Sequence, residues 1–143
     1  AFFIGCVALN RSNQYVVHDN GSNSISRIFK SDSGQYKCEQ MVKDLVPITV
    51  LTQSLQTNLQ ESLLFVNQKS SIKVINIEDY PKTTWFDVGW SPKTEITDFK
   101  ILNNNILITL ASDGVLKIFK INPYKHESRL VHCFRISATS YRN

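Results

Sequence analysis

Glycine and proline are scarce in this chain, five and four among 143 residues, and cysteine occurs three times. Gly5, Gly21, Gly34, Gly89 and Gly114 are nowhere spaced as GxGxxG or GxxxxGK, which excludes nucleotide binding through a glycine-rich phosphate loop. No apolar run approaches the roughly 20 residues of a membrane helix. The opening stretch Ala1–Leu9 is too short to span a bilayer and carries no positively charged lead-in, so neither a membrane anchor nor a signal peptide is expected. Cys6, Cys38 and Cys133 are odd in number and far apart, a pattern of isolated thiols that predicts a reducing, intracellular compartment, nuclear or cytoplasmic.

Catalytic constellations are missing too. No serine lies in a GxSxG elbow. His18, His126 and His132 are the three histidines, and His132 beside Cys133 on a strand would point to the opposite face, which disfavours a shared metal ion. Cys6 and Cys133 sit among Ile4, Val7, Val131 and Phe134 and are expected to be small buried hydrophobes rather than nucleophiles. No catalytic residue, cofactor, metal or small-molecule substrate is predicted.

What is present is an ordered globular composition, 42% apolar and 10% aromatic, at a length that supports a real core. The chain opens on AFFIGCVALN, already strand-like, as expected of a piece of a longer protein. It also repeats itself. Ser26–Lys30 (SRIFK), Ile72–Asn76 (IKVIN) and Leu116–Lys120 (LKIFK) share a cation, a β-branched residue, a large apolar residue and a polar one. Phe29 to Ile75 is 46 positions and Ile75 to Phe119 is 44, a period suited to four-stranded propeller blades.

Each unit reads as four short β-rich runs with turn residues between them. The third gives ITDFKIL, ILITLAS, VLKIFKIN and RLVHCFRIS; the middle one PITVLTQS, ESLLFVNQ, SSIKVINIE and TTWFDVGW; the first FFIGCVALN, QYVVHD, SISRIFK and QYKCEQMV. Within the last of these, KCEQMVKDLV has an amphipathic period that also admits a short helix or turn. Asp113-Gly114 falls between two strand-like runs, so it predicts a two-residue hairpin corner and not an acid at an active site. Asn20–Asn23 and Asn67–Ser70 are turn residues at the corresponding places, and Ser31–Tyr36 (SDSGQY) is a polar turn.

LASDGVLKIFKI resembles the corner between second and third strands in a WD40 repeat, whose usual form runs Ser-x-Asp-Gly, an apolar strand and Trp-Asp. Phe119-Lys120, Ile75-Asn76 and Phe29-Lys30 stand at the Trp-Asp position, and no Gly-His dipeptide precedes any unit. The resemblance implies an all-β, WD40-like β-propeller segment of about three four-stranded blades, at 1–46, 47–91 and 92–143. Propellers typically have 4–8 blades, so further blades would come from other sequence.

The resemblance implies a non-enzymatic scaffold that recognises other protein subunits of a larger complex; the isolated thiols suggest an intracellular one, and the Asn- and Ser-rich turns with degenerate repeats a eukaryotic one. Trp85 and Trp90, five apart, would face opposite sides of a continuous strand, one in the core and one as an exposed anchor for a partner, with core packing for both the alternative. After Asp113, Lys117, Lys120, Lys125, Arg129, Arg135 and Arg142 face Glu127 alone. That tail, with Lys125 and Arg129 as candidate contacts, suits an acidic partner. With Tyr124, Phe134 and Tyr141 interleaved it also suits RNA, the second reading.

Overall fold

The computed structural model describes residues 3–9, 14–19, 24–43, 55–77, 84–91, 93–103 and 105–136. All regular structure among them is β-strand, in three antiparallel four-stranded sheets. The first holds β1 (Phe3–Leu9), β2 (Gln14–Asp19), β3 (Ser24–Lys30) and β4 (Tyr36–Val42). The second holds β5 (Leu55–Thr57), β6 (Leu63–Asn67), β7 (Ile72–Asn76) and β8 (Thr84–Val88). The third holds β9 (Ile96–Leu102), β10 (Ile106–Ala111), β11 (Val115–Asn122) and β12 (Glu127–Arg135). Within each sheet the spatial order follows the chain.

The all-β expectation therefore holds, and the helical alternative fails over Lys37–Val42, which is strand. The run PITVLTQS and the corner Asn20–Asn23 lie outside the described residues; the first described strand of the second sheet is Leu55–Thr57.

The three related pentapeptides lie on the third strands β3, β7 and β11. Their β-branched residues pair across to the second strand of each sheet: Ile28 with Tyr15, Val74 with Phe65, Ile118 with Ile108.

Period-two alternation decides which side chain meets which sheet. The second sheet buries both faces, and β6 reads LLFVN with every residue buried. Leu64, Val66 and Ile75 pack with Leu55, and with Ile25 and Val42 of the first sheet. Their neighbours Leu63, Phe65, Ile72 and Val74 pack with Ile96, Phe99, Leu107, Phe119 and Ile121 of the third. A run apolar at consecutive positions is what a strand between two sheets requires.

Buried and half-buried polar side chains stitch the second sheet to the third. Gln56 Nε2 donates to Phe99 O (2.9 Å) and Asn67 Nδ2 to Ile96 O (2.9 Å). Asn58, 3% exposed, accepts at Oδ1 from the Ser62 and Leu63 amides and donates from Nδ2 to Asn105 Oδ1 at 3.0 Å. Each such bond contributes about 1 kcal/mol net, but an unpaired partner would cost more.

The Asp-Gly corner is one residue longer than expected. Leu110 pairs with Leu116, so Ser112, Asp113 and Gly114 form a three-residue connection. Gly114 (φ +80°) takes the left-handed position, its amide donates to Ala111 O at 3.0 Å, and Asp113 Oδ1 accepts from Val115 N at 3.1 Å. Three-residue hairpins place a left-handed residue last, a position a two-residue count from Asp-Gly misses. A Cβ at Gly114 would meet only Ile136 O at 3.5 Å, ordinary contact. Gly114→Val is therefore expected to destabilise through backbone strain alone, by roughly 1–3 kcal/mol. Urea unfolding measures this, and an unchanged midpoint would mean the corner is unstrained. Asn67–Ser70 is also a turn: Asn67 Oδ1 accepts from Lys69 N at 2.9 Å, and Lys69 has φ +69°.

Candidate partner-binding surface

β12 is the outer strand of the third sheet, and all nine of its residues are exposed. Its connection from β11 is ordered by Asn122, whose Oδ1 accepts from the amides of Tyr124 (3.1 Å) and Lys125 (3.2 Å). Asparagine forms such turns because its side chain imitates a backbone acceptor. The turn leaves Tyr124 93% exposed and seats His126 against Phe86 of β8, ring centroids 5.7 Å apart.

Beside this turn is an open cleft of about 500 Å³ whose lining includes Lys120, Tyr124, Glu127 and Arg129. Lys120 and Arg129 are register partners, so both project from one face of the β11–β12 ladder. Two like charges directly opposite repel, which favours an anion between them. Lys125 is exposed on the turn and does not line the cleft. Arg142 and Tyr141 lie outside the described residues.

The tryptophans depart from expectation. Trp85 is 49% exposed and Trp90 68%, so neither belongs to the core. β8 ends at Val88 and Gly89 (φ +71°) turns the chain, so strand parity does not extend to Trp90. Trp85 carries the Lys73 ammonium 3.6 Å from its ring centroid, and Lys73 also pairs with Asp87 at 3.3 Å. The four candidates lie on two parts of the fold, Trp85 and Trp90 on the second sheet and the loop after it, Lys125 and Arg129 on the β11–β12 hairpin, whose turn meets β8 through His126 and Phe86.

Cys133 is exposed, not a buried hydrophobe, because β12 has no further strand beside it among the described residues. Cys38 is likewise exposed, and the Cys6 side chain lies outside the described residues. His132 stacks on Phe134 (centroids 5.8 Å apart), two residues along the same face. Among the described residues no three of His, Cys, Asp and Glu gather to hold a metal ion.

Sequence reasoning missed a repeated charge arrangement. The cation of each third strand faces a residue of the fourth: Arg27 opposite Glu39, Lys73 opposite Asp87, Lys117 opposite Cys133. The first two are ion pairs at 3.3 Å, and Arg27 also lies over Phe29, 4.5 Å from its ring centroid. The cations recur in the sequence, but the acids are legible only once strand register is known. The third sheet sets a thiol where the others set a carboxylate, so its basic residues gain no matching acid on β12.

No protein-family model matches the chain, and no curated protein matches it.

Proposed function

We propose that this chain is a segment of a WD40-like β-propeller that acts as a non-catalytic scaffold, recognising an acidic protein partner within a larger intracellular assembly, nuclear or cytoplasmic. The observation that carries the recognition reading is the β11–β12 hairpin. It exposes Lys120, Lys125, Arg129 and Arg135 together with Tyr124 and Phe134, against Glu127 as its one acid. Exposed aromatic residues and arginines are enriched at interfaces, which supports this reading through Tyr124, Phe134, Arg129 and Arg135.

The propeller reading is supported by the stacking pattern. The face of the third sheet turned away from the second carries Ile106, Ile108, Leu110, Leu116 and Ile118, each half-buried. Ile118 and Ile108 pair between third and second strands as Val74 and Phe65 do on the second sheet, where the third sheet covers them. A propeller continues that covering from sheet to sheet.

The test is a charge reversal, Lys125→Glu with Arg129→Glu, in the protein used to capture its partners. Association with an acidic partner is expected to weaken at least tenfold, more at low salt than at high salt, because exposed charges are screened within about 10 Å at 0.1 M salt. Affinity unchanged for every captured partner would remove the hairpin from the reading. Contact with RNA is the second reading, favoured by Tyr124 beside Lys125; there the double variant would also flatten the slope of log affinity against log salt.

A further inference from the structure

We infer that the open edge of β12 and the cleft beside it form one site for a short, extended acidic peptide. The peptide pairs with Glu127–Leu130 as a fifth strand and places a carboxylate over Arg129, where the Lys120 side chain on the next strand can also reach it. This rests on the reading of the protein as a recognition module and specifies the ligand chemistry of its basic hairpin.

Among the described residues, β12 hydrogen-bonds to β11 on one side and to no strand on the other. A strand in that position presents a row of amides and carbonyls on which a further strand can form. Over Glu127–Leu130 the stretch has no proline and its pairing with β11 is regular, Asn122 with Glu127 through Phe119 with Leu130, while its charged residues Glu127 and Arg129 make the edge selective for a partner of matching charge. The register then slips, because Ile118 pairs with His132 and Val131 is left as the extra residue of a bulge. The bulge bends the edge and limits continuous pairing to about four residues on this arm. That length suits a short peptide and opposes unlimited edge-to-edge growth.

The side chains specify the ligand. On an added strand, alternate residues project to the face that holds Lys120 and Arg129. The cleft of about 500 Å³ is lined by Lys120 and Arg129 of that face, by the next pair Ile121 and Ser128, and by Tyr124 of the turn. A carboxylate reaching it meets two cations, with Glu127 the one acid in the lining. A lysine or arginine in its place would meet like charge. The same argument disfavours a second copy of this chain, since two β12 edges would bring Arg129 and Arg135 of each into one basic ribbon.

A labelled hexapeptide, acetyl-Val-Glu-Val-Glu-Val-Glu-amide, tests this by fluorescence anisotropy on the 143-residue protein. Binding is expected, with at least a tenfold loss when alternate peptide amides are N-methylated, which removes backbone donors while keeping every charge. Lys120→Ala with Arg129→Ala is expected to cost at least tenfold, and Lys125→Ala less than twofold because Lys125 stands outside the cleft. The Lys-for-Glu hexapeptide should not bind. The inference is overturned if the parent peptide does not bind, if N-methylation has no effect, or if Lys125→Ala weakens binding as much as the cleft variant. It is also overturned if a ten-residue uridine RNA binds this arm more tightly than the peptide, or if sedimentation shows β12-dependent self-association that excludes the peptide. Partner capture that remains sensitive to Lys125→Glu with Arg129→Glu despite any of these results would remove this site and leave the recognition role standing.

Discussion

Phe65→Ala is expected to be the most destabilising single truncation, at roughly 3–5 kcal/mol. Phe65 is fully buried on β6 and lies in the cluster that joins the second sheet to the third. Its removal takes contacts from both sides at once, from Val74 beside it on β7 and from the Phe99, Leu107 and Phe119 group across the sheet interface. The cavity cannot close by local collapse, because polar bonds from Gln56 to Phe99 and from Asn58 to Asn105 hold the two sheets at their present spacing. With a urea slope near 2 kcal/mol/M, the midpoint should fall by about 1.5–2.5 M. Phe65→Leu should recover more than half of that loss. A midpoint within about 0.5 M of wild type for Phe65→Ala would show that the interface between these sheets does not carry the fold's stability.

Gly89→Val is expected to cost about 2–4 kcal/mol, from two separable sources. Gly89 has φ +71°, where a β-branched residue is strained. A Cβ there would also stand 3.2 Å from Phe119 Cζ, tighter than ordinary packing. This distinguishes it from Gly114, where the added atom meets no crowding. A double-mutant cycle separates the terms: in a Phe119→Leu background the steric part should vanish, leaving the backbone part. The expected coupling is at least 1 kcal/mol. Additive costs would place Phe119 away from the turn and remove the steric part of the prediction.

The strands and their order were legible in the sequence wherever alternation was reinforced by β-branched residues. IKVIN and LKIFK announced third strands because cation, β-branched and large apolar residues recur 44 positions apart. The turn at Asn67–Ser70 was legible for the same local reason, since its side-chain bond spans two residues.

What could not be read depended on distance and on edges. Asn58 looks like one more turn asparagine, yet its bond to Asn105 crosses 47 positions and joins two sheets. One tryptophan was expected to be exposed and both are, and Cys133 was expected to be buried and is exposed, because apolar neighbours in sequence do not reveal whether a strand has a neighbour on both sides. Of the binding candidates, Arg129 reached the cleft while Lys125 stayed beside it, a difference set by the register of β11 against β12. Lys120 gained its place the same way.

The left-handed corners have a consequence for how such a chain can drift. Seven described positions have positive φ, but only Gly34, Gly89 and Gly114 are glycine; Glu61, Lys69, Asn105 and His126 fill the others. A side chain in that conformation costs on the order of 1 kcal/mol and less for asparagine, a penalty a packed three-sheet core tolerates. The four corners that already carry side chains can therefore exchange one residue for another at little further cost, whereas Gly89 and Gly114 resist a β-branched replacement. Tolerance to mutation is thus uneven around the three sheets, high at Glu61, Lys69, Asn105 and His126 and low at those two glycines.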